Sequence, residues 1–112
     1  MSIPTLNRML ILETPQRVPD GAGGYTQTWQ ALGSLWAQVA LRSGRETDRL
    51  GAPVSASSFR ITVRGAPFGT QDRPRPDQRF RDGDRVYLIK AVAEADRNGR
   101  YLTCFATEES TL

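Results

Sequence analysis

The chain has no histidine, one cysteine (Cys104) and one lysine (Lys90) among 112 residues. Without histidine, neither a Ser-His-Asp triad, a Cys-His pair nor a histidine-ligated zinc site can be built from this chain. A lone cysteine closes no internal disulfide, so the fold is expected to stand without cross-links, as in a reducing compartment. Long apolar runs are missing too. Met9-Leu10-Ile11-Leu12 and Val86-Tyr87-Leu88-Ile89 fall far short of the roughly 20 residues a membrane helix needs. Met1-Ser2-Ile3-Pro4-Thr5 has no basic patch leading into an apolar core, so no signal peptide is expected. These absences argue against an enzyme, and no cofactor, metal or membrane partner is expected.

What is present is arginine. Lys+Arg number 15 against 12 Asp+Glu, a net charge of +3, and every basic residue but Lys90 is Arg. That net charge is too small to identify a nucleic-acid binder, so the distribution of charge matters more than its sum. Hydrophobic residues make up 38%, which implies a small core in one domain over residues 1–112.

Period-two patterning dominates. Arg8-Met9-Leu10-Ile11-Leu12-Glu13 reads as a strand ended by Pro15, followed by a glycine-rich loop in which Gly23 and Gly24 suit a turn needing positive φ. Tyr25–Ala31 and Leu35–Leu41 read as two strands separated by a turn near Gly33-Ser34, with their aromatics expected in the core or at its rim. Ser58–Arg64 alternates most cleanly: Phe59, Ile61 and Val63 point in, and Arg60, Thr62 and Arg64 point out. Gln78–Arg81 and Arg85–Val92 flank Asp82-Gly83, a two-residue hairpin signal, and Asn98-Gly99 turns the chain into a last strand, Arg100–Thr107. The polar tail 108–112 is expected to fray. The fold class is therefore all-β, a small antiparallel β-barrel of about six to seven strands with two long loops, about 42–57 and 65–77.

Loops of that length in a compact domain are usually functional or disordered. The first carries Arg42, Ser43, Gly44, Arg45, Glu46, Asp48 and Arg49, and Ser43–Leu50 could form a helical turn or two before the flexible Gly51–Ser57. Residues 72–85 interleave five arginines with four aspartates. A nucleic-acid arm rarely mixes in so many acids, because each repels phosphate. A protein contact through Arg–carboxylate pairs fits Asp72, Arg73, Arg75 and Asp77 better.

The order Asp20-x-x-Gly23-Gly24-x-x-x-x-Trp29, Leu35-Trp36-Ala37-x-Val39, Ser43-Gly44-Arg45-Glu46, Arg60-Ile61-Thr62-Val63-Arg64, Asp82-Gly83-Asp84-Arg85-Val86 and Tyr101-Leu102-Thr103-Cys104 resembles the head–tail joining (head-closure or stopper) proteins of long-tailed phages and gene transfer particles. The resemblance spans about Leu6 to Thr107. It implies a structural subunit of a homo-oligomeric ring of six or twelve copies, below the capsid portal and its adaptor ring. Such a ring lines the channel for double-stranded DNA, retains the packaged DNA and docks the tail terminator or tail tube. It further implies assembly in the host cytoplasm and residence in the connector of the mature particle, with Ser43–Ser57 as the loop that reaches the lumen and gates it.

Two other readings remain open: a tail-terminator ring subunit, and a small nucleic-acid-binding β-barrel. The latter wants aromatics interleaved with basic residues on one exposed face, and no basic residue occurs from Tyr25 to Leu41.

Overall fold

The computed structural model describes residues 3–49 and 52–111, with side chains described for residues 3–42 and 57–108. Six antiparallel strands form one sheet: β1 (Arg8–Pro19), β2 (Tyr25–Arg49), β3 (Ala52–Arg64), β4 (Arg79–Asp82), β5 (Arg85–Glu94) and β6 (Tyr101–Thr111). The sheet order is β1-β2-β3-β6-β5-β4, and β4 returns to pair with β1 through Ile11–Arg81, Leu12–Phe80 and Glu13–Arg79, so the sheet closes on itself. Among the described residues there is no helix.

The inward half of the alternation fills the interior. Leu10, Leu12, Ala37, Phe59, Ile61, Val63, Phe80, Tyr87, Ile89, Leu102, Cys104 and Ala106 form one buried cluster, with Leu32, Leu35, Val39 and Val92 packed against it. Cys104 is a free cysteine buried in this cluster, and burial pushes its thiol up to about 12. Thr62, expected to point out, does lie on the outer face by alternation yet is buried there.

The six strands match the expected number of about six to seven but are longer than the sequence suggests. Tyr25–Ala31 and Leu35–Leu41 are one strand, because β1 does not stop at Pro15 but runs on to Pro19 and pairs with both halves of β2. Beyond Glu13, β1 has no partner on its β4 side, an edge where a proline's missing donor is tolerated. Instead of a turn at Gly33-Ser34 there is a bulge: Leu12 pairs with Gly33 and Glu13 with Ala31, leaving Leu32 extra. One inserted residue flips the faces of the strand. Leu35, Ala37 and Val39 therefore face the core, while Tyr25 and Trp29 lie on the outer face. Tyr25 and Trp36 are exposed, contrary to the core or rim position expected of them.

The expected loop over 42–57 and its helical turn are also replaced by strand. β2 and β3 continue as a hairpin with Arg45 opposite Ala56 and Arg49 opposite Ala52. The tail is not frayed as far as Thr111, because β6 adds to this arm, with Glu108 opposite Ser57 and Thr111 opposite Val54. Such partners are invisible to local composition. The β4–β5 turn is Gly83-Asp84 rather than Asp82-Gly83, since Asp82 pairs with Arg85. Gly83 at φ 62° supplies the positive φ that a type II′ turn needs at its first central residue.

Two arms thus leave opposite ends of the closed sheet: β1–β2 over about residues 14–30, and β2–β3–β6 over about residues 43–58 and 107–111. They account for a radius of gyration of 15.5 Å, against about 13 Å for a compact chain of this length.

Candidate assembly surfaces

The second loop, 65–77, remains irregular but is not a free arm. It returns over the end of the sheet from which the β1–β2 arm leaves, with its own Pro74 fully buried. Buried Gln78 accepts a hydrogen bond from the Arg75 backbone N–H at 2.9 Å, while its own carbonyl accepts from the Ile89 N–H at 2.9 Å. Of the four residues expected to make ring or tail contacts, Arg73 is a strut of this lid. It donates to the Ala66 carbonyl at 3.0 Å and lies 3.7 Å from the centre of the Phe68 ring. Asp72, Arg75 and Asp77 are exposed, with Asp77 at φ 74° donating its backbone N–H to the Ile89 carbonyl.

The other arginines of this segment are engaged within the chain. Glu13, only 6% exposed, accepts from Arg79 Nε at 2.7 Å and Arg81 Nε at 3.0 Å, across the β1–β4 seam. Burial pushes the Glu13 carboxyl up, but the two guanidinium hydrogen bonds outweigh it and hold the group below its ordinary value. Arg79 also covers the Trp29 ring at 4.1 Å, tying the base of the β1–β2 arm to the same seam. Arg85 makes a bidentate pair with Glu108, both bonds at 2.9 Å. Arg8 pairs with Asp82. Arg79, Arg81 and Asp82 thus pair across the closing seam, while Asp72, Arg75 and Asp77 stay exposed.

Arg8, Asp82, Arg85 and Glu108 cluster at the end opposite the lid. Beside them Phe59 and Tyr87 meet edge to face at 5.0 Å, and Arg85 lies 5.2 Å from the Tyr87 ring centre. Tyr87 is fully buried, its hydroxyl has no hydrogen-bond partner among the described residues, and burial pushes its pKa up. An unsatisfied buried hydroxyl costs free energy that a phenyl ring does not. Tyr87→Phe is expected to leave stability unchanged or raise it by up to about 1 kcal/mol. The urea midpoint reads this directly, and a loss of stability would show that the hydroxyl is paired.

For the candidate lumen segment, the structure gives the backbone register of Ser43, Gly44, Arg45, Glu46, Asp48 and Arg49 in β2, while their side chains lie outside the described residues. Arg42 is the extra residue of a second bulge and lies 5.0 Å from the centre of the Phe105 ring. The turn glycines Gly23 and Gly99 have φ 86° and 65°, and Asn98-Gly99 does turn β5 into β6, aided by Asp96 Oδ1 accepting from Arg100 and Tyr101 N–H. Gly24, expected to need positive φ, does not have it. Its constraint is Asp20, whose carboxylate would lie 2.9 Å from an added Cβ while accepting the Ala22 and Gly24 N–H groups at 2.8 and 3.1 Å.

Sequence reasoning also missed an outer face. Met9 pairs with Trp36, Arg64 with Tyr101 and Arg60 with Phe105, on adjoining strands β1, β2, β3 and β6. The alternation Arg60-Ile61-Thr62-Val63-Arg64 shows that the arginines point outward, but not that Arg64 lies at the Trp36 end of β2 and Arg60 beside Phe105. Among the described residues no three His, Cys, Asp or Glu side chains gather as a metal site, and no helix is long and apolar enough to cross a membrane.

The family model described as phage head completion protein matches residues 1–109. Among solved structures, a chain of the virion of a native gene transfer agent particle is 51% identical, with 98% of this chain and 100% of that chain covered and a TM-score of 0.89. A protein from Shigella flexneri 2a determined in solution is 22% identical over 96% of each chain, with a TM-score of 0.66, and shares the fold. No curated protein matches.

Proposed function

The chain belongs to the phage head completion protein family, and from that premise we propose that it is a structural head–tail connector subunit of a phage or gene transfer particle. In this reading it forms a ring below the portal and adaptor, lines the DNA channel, retains packaged DNA and receives the tail. The observation that carries the proposal is the 51% identity, over essentially the whole of both chains, to a component of a gene transfer agent virion. It works by packing and arm placement, without catalysis or a cofactor.

The β2–β3–β6 arm is the element assigned to the lumen. Over residues 42–57 its charges are Arg42, Arg45 and Arg49 against Glu46 and Asp48, a net of +1. Such near-balance lets arginines meet phosphates while the acids keep the channel from gripping DNA that must later leave. Exposed Asp72, Arg75 and Asp77 on the lid remain the proposed contacts with a neighbouring ring or the tail.

Electron microscopy of particles from a source strain lacking the gene tests the proposal. Unjoined heads and tails are the expected result, and normal tailed particles would overturn it. Deleting residues 44–56 trims the arm near the Ser43–Ser58 pair and takes away part of the β6 partner, but leaves the buried cluster intact. The expected outcome is a folded chain by circular dichroism and filled heads that leak DNA. Full DNA retention would count against a gating arm.

A further inference from the structure

The outer face of β1–β2–β3–β6 gathers side chains that no single stretch of sequence contains. Met9 and Trp36 are cross-strand partners, 45% and 54% exposed. Arg60 and Arg64 point outward from β3, and Arg64 stands between Tyr101 on β6 and the Trp36 end of β2. Arg42 overhangs the same face above Phe105. None of residues 7–11, 34–42, 58–64 and 101–107 is Asp or Glu. These four stretches are the strand segments that make up the face.

We propose that this face docks an acidic surface of another protein of the particle, with Met9 and Trp36 as its apolar centre and Arg42, Arg60 and Arg64 as its charged rim. The proposal rests on the chain being a particle component. Two observations fix the chemistry of the occupant. Charge of one sign, with no acid interleaved, calls for carboxylates opposite, and arginine holds them in bidentate geometry. An exposed Trp–Met pair gains by being covered, and Trp, Tyr, Met and Arg are the residues enriched in protein contacts and their energetic centres.

A nucleic acid fits less well. Single strands need successive aromatic platforms, whereas the Phe105 ring is covered by Arg42 and Trp29 lies under Arg79, outside this face. Trp36 is left as the one well-exposed ring of the face, and Met9 beside it offers a phosphate nothing.

The test uses particles whose sole copy of the chain carries Trp36→p-benzoylphenylalanine. On irradiation, the expected product is a crosslink to a peptide of a different protein rich in Asp and Glu, identified by mass spectrometry. Crosslinking to DNA, to a second copy of this chain or to nothing, in particles that contain the chain, would overturn the docking face while leaving the connector reading intact. Absence of the unsubstituted chain from particles would instead overturn the connector reading.

If the substituted chain does not enter particles, charge reversal decides. Arg60→Glu with Arg64→Glu, native by circular dichroism, is expected to lower the yield of joined particles about tenfold or more, because the reversed charges face the partner's carboxylates and repel them. Arg60→Lys with Arg64→Lys should recover part of it. Wild-type yields from the reversed chain would sink the proposal.

Discussion

Gly65→Ala is expected to lower stability by about 3 kcal/mol, a fall in Tm of about 12 °C. Gly65 directly follows β3 and donates its N–H to the Arg100 carbonyl at 2.7 Å, so the two backbones are already in contact. A Cβ there would stand 2.0 Å from the Gly99 carbonyl oxygen and 3.1 Å from its carbon. Both are main-chain atoms of the β5–β6 turn, and no rotamer change can move them aside. Gly24→Ala is the matched control. Its Cβ meets the Asp20 carboxylate, the end of a side chain that can swing away, and the expected cost is below about 1 kcal/mol. Thermal melts of the two variants separate the cases. Equal small effects would mean that the β3 end and the β5–β6 turn are not held together as described.

Glu13→Gln should cost about 2 kcal/mol. The substitution keeps the shape but leaves Arg79 and Arg81 without their carboxylate, and all three side chains sit at the seam that closes the sheet. Breaking a fully buried pair costs more, about 3–5 kcal/mol, but the Arg79 and Arg81 side chains are 22% and 37% exposed and water recovers part of the loss. The pH dependence follows from the same geometry. Folded Glu13 stays ionised below its ordinary value of 4.5, so its contribution is complete above about that pH and fades as pH falls through the folded value. The wild-type chain should therefore lose stability in acid more steeply than Glu13→Gln, and the two curves should converge at low pH. Parallel acid limbs in urea titrations would contradict the role assigned to Glu13.

The seam also shows which charges of residues 72–85 find partners within the chain. Five arginines and four aspartates over residues 72–85 read as a docking surface because neither Glu13 nor Glu108 is near them in the chain. Their partners arrive only when β4 pairs with β1 and β6 passes the β4–β5 turn. A buried strand glutamate opposite outward arginines leaves no local signature. The stretch from Tyr25 to Leu41 holds no basic residue, which weighs against the nucleic-acid reading, yet β3 brings Arg64 to the Trp36 end of β2 and Arg60 opposite Ala40 and Phe105. The outcome there is a basic, aromatic face after all, with a composition that suits a protein partner.

Sequence by itself determined the all-β class, the inward set Phe59, Ile61 and Val63, the turns at Gly83 and Asn98-Gly99, and the absence of histidine chemistry. Each of these follows from alternation, local turn stereochemistry or residue count, which neighbours in the chain suffice to express. Tertiary structure alone decided strand length, face and partnership. Whether Ser43–Arg49 is loop or strand depends on β3 lying opposite, and whether the tail frays depends on β3 again. The Leu32 bulge, set by the register of β1 against β2, sends Tyr25 and Trp29 outward although their alternation is intact. Period two tells which residues share a face, but the pairing of distant strands decides which face meets the core.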